Sequence, residues 1–167
     1  MVAKSWCLVV AVLTGICGVE AVPIEVGSGR NAAGLYVEWK DGFSVGFVLR
    51  FEEDWIGGMD LIGRIAAETP LIYSTLPYAE GEFVNGFSYM DHSNEGYGGG
   101  EDWWHHWIRE PGEDWTWGLG ASDRVAADGA WDGWVYGRAD IPEPAAIALL
   151  TVGLAFIRRR SSMPGAC

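Results

Sequence analysis

The stretch Leu35–Phe51, LYVEWKDGFSVGFVLRF, decides the fold. Its second half places apolar residues at 43, 45, 47, 49 and 51, the period-two pattern of a half-buried strand. Its first half, Leu35 to Trp39, alternates more weakly, and Lys40-Asp41-Gly42 between them is a turn signal. Two strands joined through an Asp-Gly turn predict a β-hairpin. Downstream, Gly57-Gly58 breaks the chain, and Met59, Ile62, Ile65 and Ala66 recur at helical spacing until Pro70 stops them. Leu71 to Thr75, Glu82 to Met90, Trp103 to Arg109 and Trp134 to Tyr136 read as further strands. Asp91 to Asp102 reads as a Gly-rich loop, and Pro111-Gly112, Asp128-Gly129 and Asp132-Gly133 read as turns. A hairpin, one helix, then several strands predict an α+β domain: a small antiparallel sheet with one packed helix.

The chain has 167 residues, enough for one ordinary domain and its ends. Eleven basic against 23 acidic residues give a formal charge of −12. That charge repels phosphate and argues against a nucleic-acid partner. At the N-terminus, Lys4, the apolar run Leu8 to Ile16 and the small or apolar residues around Val19-Glu20-Ala21 predict a secretory signal peptide over 1–21. At the other end, Pro142-Glu143-Pro144 is followed by an apolar run over 145–157 and by Arg158-Arg159-Arg160. As a helix, that run would be roughly 20 Å long at ~1.5 Å per residue, short of a ~30 Å hydrocarbon core. The arginines would hold its end on the cytoplasmic side. The domain is therefore expected at 34–138, after a linker at 22–33, flanked by a signal helix and a short C-terminal membrane helix.

The segment 141–160 resembles a PEP-CTERM sorting signal, through the tripeptide Pro142-Glu143-Pro144, the apolar run and Arg158, Arg159 and Arg160. The resemblance implies an exosortase and the secretion machinery as partners, and the membrane as a temporary anchor. Cleavage near the tripeptide would then leave the product at the cell surface or in the matrix, beside extracellular polysaccharide. Residues 161–167 extend past the arginines as a tail. The run Trp103-Trp104-His105-His106-Trp107, with Trp115-Thr116-Trp117-Gly118, Asp128-Gly129 and Asp132-Gly133-Trp134, is similar to the Trp-rich ending of other exported PEP-CTERM proteins. Its rhythm also resembles the β-grasp-like C-terminal domain of the transcobalamin family, which implies a fold and no ligand.

Between 22 and 141 stand seven basic and 21 acidic residues, a formal charge of −14, and no cysteine. Packing must supply stability there without disulfides, and nine of the ten Trp lie in this part. The same rings could instead stack on sugars. On a strand, Trp103, His105 and Trp107 share one face and Trp104, His106 and Ile108 the other, so at least one Trp-bearing face must be core. Trp104, Trp107, Trp115 and Trp117 are the candidate ligand-binding residues. Asp91, Ser93, Glu95 and Asp102 have the spacing of a calcium loop, with Gly96 at its turn position. No other cofactor is expected. Adjacent His105 and His106 point to opposite faces, which disfavours a zinc site. Glu52-Glu53-Asp54 and Glu113-Asp114 read as solvated acids at turns, so the domain is expected not to be an enzyme. The reading that results is an exported cell-surface or matrix protein. The alternative is a glycan or small-ligand binding module.

Overall fold

The computed structural model describes residues 22–79 and 81–138. The expected signal peptide, the sorting signal (Pro142, Glu143, Pro144, Arg158, Arg159, Arg160) and both flanking helices lie outside the described residues. Within them, no helix is long and apolar enough to cross a membrane.

The predicted hairpin is the centre of the molecule. β2 (Asn31–Glu38) pairs antiparallel with β3 (Ser44–Phe51), from Asn31 opposite Phe51 to Glu38 opposite Ser44. The turn closes through Gly42 N–H to Trp39 O and Trp39 N–H to Phe43 O, both 2.9 Å. β1 (Ile24–Gly27) lies parallel on the outer edge of β3. The stretch 22–33 is thus no simple linker; it supplies β1 and the first residues of β2. β1 is only four residues long, too short to show a period.

Three further strands, β8 (Trp104–Arg109), β9 (Thr116–Trp117) and β11 (Trp131–Tyr136), complete a six-stranded sheet in the order β1-β3-β2-β11-β8-β9. β8 and β9 form its far side. β11 enters between β2 and β8, parallel to the first and antiparallel to the second. The sheet is therefore mixed, where an antiparallel one was expected. Asp132-Gly133, expected as a turn, lies inside β11. Tertiary context overrides the low strand propensity of Asp and Gly here.

α1 (Gly58–Glu68) is the predicted helix, with Leu61, Ile62 and Ile65 buried. It packs on β1, β2 and β3. Thr69 Oγ1 donates to Ile65 O at 2.8 Å and ends it. β4 (Trp55–Gly57) precedes the helix and pairs with β10 (Val125–Ala127). β5 (Ile72–Tyr78), β6 (Gly81–Tyr89) and β7 (His92–Glu95) make a separate three-stranded antiparallel sheet. β7 occupies the first part of the expected Gly-rich loop. Its residues His92-Ser93-Asn94-Glu95 carry no apolar alternation, because it is an edge strand.

The main core lies between the inner face of the large sheet, α1 and the three-stranded sheet. Leu35, Val37, Phe47 and Trp134 from the large sheet meet Ile62 and Ile65 from the helix and Val84 and Phe87 from β6. Trp39 Nε1 donates to Phe87 O at 2.9 Å, and Trp104 Nε1 to Asn94 O at 3.2 Å. These indoles satisfy their polar atoms while tying the two sheets together.

Candidate functional site

The large sheet has a second, outer cluster: Tyr36, Val48, Trp131 and Val135, with Ala32, Trp107 and Trp115 against it. It takes its members from this sheet and Trp115 alone. One glycine makes it possible. Gly34 faces Trp131 across the ladder, and a Cβ there would lie 2.1 Å from the indole. Trp131 therefore lies over bare backbone.

Towards β9 the outer face becomes a strip of aromatic rings. Trp107 and Trp117 are register partners, with ring centroids 5.2 Å apart and edge to face. Trp117 also meets Trp103 at 5.8 Å and His105 at 5.5 Å. Trp103 in turn lies 3.9 Å from His105. Beside them, the Arg109 guanidinium stands 5.0 Å from the Trp115 ring and 5.8 Å from the Trp131 ring. Cation–π attraction of this kind fixes both indoles.

The four candidate tryptophans thus separate. Trp104 is core, 2 % exposed and packed edge to face on Trp39, Phe87 and Tyr136. A ring packed into the core has no free face on which a sugar could stack, so Trp104 leaves the set of stacking candidates. Trp107 and Trp115 are half-buried on the outer face, and Trp117 is 45 % exposed. Trp103, not among the four, takes the place of Trp104, because it shares a face with Trp107 and touches Trp117.

Trp103 also borders a pocket of about 270 Å³. Leu76, Phe83, Gly96, Tyr97, Trp103 and Trp104 line it together with one carboxamide, Asn85. β6 bulges at the pocket: Ser74 pairs with Gly86 but the next residue, Thr75, pairs with Val84, leaving Asn85 out of register. Asn85 Nδ2 donates to Glu95 Oε1 at 3.1 Å. Leu76, Phe83 and Tyr97 are exposed around the rim, Tyr97 by 72 %.

The expected calcium residues do not form one loop. Ser93 and Glu95 lie on β7, and Asp91 precedes it. The Glu95 carboxylate accepts from Ser74 and Asn85, and Asp102 takes the Lys40 ammonium at 2.5 Å. No group of three or more His, Cys, Asp or Glu side chains among the described residues could hold a metal ion.

A buried charge cluster escaped the sequence reading. Asp132, fully buried on β11, accepts from Arg124 Nε at 2.8 Å. Arg124 also reaches Glu110 at 2.5 Å, and His106 Nε2 stands 3.6 Å from Asp132. His106 stacks on Trp134 at 4.3 Å, and Gly118 sits so close that a Cβ would lie 2.5 Å from its ring. Burial opposes the Arg124 charge, but Asp132 and Glu110 outweigh it and raise its pKa. Asp132, His106 and Arg124 are buried, and Glu110 is the partly exposed member of the cluster. A second buried acid, Glu38, accepts from the Tyr36 hydroxyl at 2.6 Å and pairs with Arg138. Burial, then the bond to Glu38, pushes the Tyr36 phenol up, so it stays a donor.

No protein-family model matches this chain. No curated protein and no solved structure matches it either.

Proposed function

We propose that this chain is exported, sorted through its PEP-CTERM-like tail, and displayed at the cell surface as a carbohydrate-binding domain. One observation carries the binding part. Trp117 stands exposed on a sheet face with its ring held edge to face by Trp107 and Trp103. A rigid exposed indole is a platform for the apolar face of a sugar ring, and it loses little entropy on binding. The acidic surface supports a neutral polysaccharide over an anionic one. The large sheet also supports the β-grasp-like reading: hairpin, helix, then a last strand inserted parallel to the first strand of the hairpin.

Affinity electrophoresis of the full-length protein through gels containing neutral polysaccharide tests the reading. Retardation is expected, and Trp117→Ala should weaken it about ten-fold, the effect of losing ~1.5 kcal/mol of aromatic contact. Equal migration with and without every neutral polysaccharide would overturn it. Mass spectrometry of the mature protein, with and without the tail, tests the sorting. A product still carrying residues 1–21 in the cytoplasm would sink that part.

A further inference from the structure

The pocket at the β6 bulge adjoins the aromatic strip, and the inference drawn from it rests on the carbohydrate reading. We infer that it selects an N-acetylated pyranose, taking the acetamido group of a sugar whose ring stacks on the Trp103–Trp117 strip. Three features support this.

The first is size. About 270 Å³ is roughly nine times the ~30 Å³ that one water occupies in the liquid, enough for a sugar substituent and part of its ring. The second is chemistry. The walls are Leu76, Phe83, Tyr97 and the two indoles, with Asn85 as the one carboxamide. A pocket for a bare hydroxylated sugar would need several polar partners, since each buried hydroxyl left unpaired costs free energy. An acetamido group instead presents one methyl to the apolar wall and one N–H to an acceptor. Asn85 supplies that acceptor: its amide nitrogen donates to Glu95, so Oδ1 is the atom of the amide left to accept. The third is continuity. Trp103 is at once a wall of the pocket and a neighbour of Trp117 at 5.8 Å. The pocket and the strip therefore share one residue. No charged side chain lines the pocket, so an ionised substituent would go unpaired there.

Calorimetric titration of the full-length protein with two trisaccharides, chitotriose and cellotriose, tests this. They share the β-1,4 backbone and differ at the acetamido groups. Chitotriose should bind about ten-fold tighter, the combined effect of one buried methyl and one hydrogen bond. Phe83→Ala, at a side chain 47 % exposed and therefore tolerant of truncation, should erase that preference, lowering chitotriose affinity more than cellotriose affinity. Asn85→Leu, which removes the acceptor, should also reduce chitotriose binding. Trp117→Ala should weaken both sugars. Equal affinity for both trisaccharides, or a preference that survives Phe83→Ala, would overturn the pocket assignment and leave the strip standing. Failure of both sugars to bind would overturn the two readings together.

Discussion

The two faces of the large sheet use the same residue type for opposite purposes. On the inner face Trp39, Trp104 and Trp134 are 1–2 % exposed and pack against the helix and the three-stranded sheet. On the outer face Trp117 is 45 % exposed, and Trp107, Trp115 and Trp131 pack on their own sheet. The difference teaches that tryptophan content says little until each ring has a face. A ring covered by a second layer contributes stability. A ring held only at its edges, as Trp117 is, keeps an exposed surface.

The largest test is therefore a matched pair of truncations. Trp134→Ala should cost about 3–5 kcal/mol, the range for removing a large buried aromatic ring. Trp117→Ala should cost less than about 1 kcal/mol of folding stability. Urea unfolding of both variants measures this, and equal losses would erase the distinction between the faces.

The buried charges of the inner face provide the next test. Asp132→Ala leaves Arg124 buried with only Glu110 to pair it, and should cost about 3 kcal/mol. Replacing Arg124 and Asp132 together by Leu should cost less than the sum of the single changes, because no uncompensated charge remains. A double-mutant cycle by urea unfolding decides it. A strictly additive result would mean that the pair is not coupled.

These tests also show what could be read from the sequence. The hairpin and the helix were legible because one alternation (45, 47, 49, 51) and one helical spacing (62, 65) each meet a single buried face. The alternation of Trp103–Ile108 correctly separated two faces, but nothing local said which would be covered, so Trp104 stayed a candidate ligand residue. Asp132 looked like a turn residue because Asp-Gly usually makes turns. The arginine that lets it lie in a central strand comes from a separate segment, and its arrival there is a property of the fold. β7 was hidden because a polar edge strand resembles a polar loop. The pocket was invisible for a similar reason: the Asn85 bulge is defined only by its partner strand.

On the outer face, Gly34 offers a smaller but sharper test. Gly34→Ala would drive a methyl into the Trp131 ring and should cost about 1–3 kcal/mol, the usual penalty for overpacking. Near-ultraviolet circular dichroism should change with it, since the Trp131 indole must move. An unchanged spectrum with full stability would show that Trp131 does not lie on the backbone there.

The smallest expected effect lies at the rim of the molecule, where charges are solvated rather than enclosed. The hydrogen bond from Arg64 holds Glu53 at about 2, below an ordinary value of 4.5. The backbone N–H of Phe43, and then His92, lower Asp41. A carboxylate lowered in the folded state binds fewer protons there than in the unfolded chain, so stability rises with pH across the interval between its two values. For Glu53 that contribution is complete above pH 4.5 and is lost as pH falls towards 2. Glu53→Gln should flatten this part of the Tm–pH curve and leave Tm near neutrality almost unchanged, because exposed pairs contribute little. Raising the ionic strength should flatten the wild-type curve in the same direction. Arg124 and Asp132, screened from solvent by the core, should not respond to salt in this way. A salt dependence as large for Asp132→Ala as for Glu53→Gln would mean that the inner cluster is open to water, and the contrast between the two faces would fail at its most buried point.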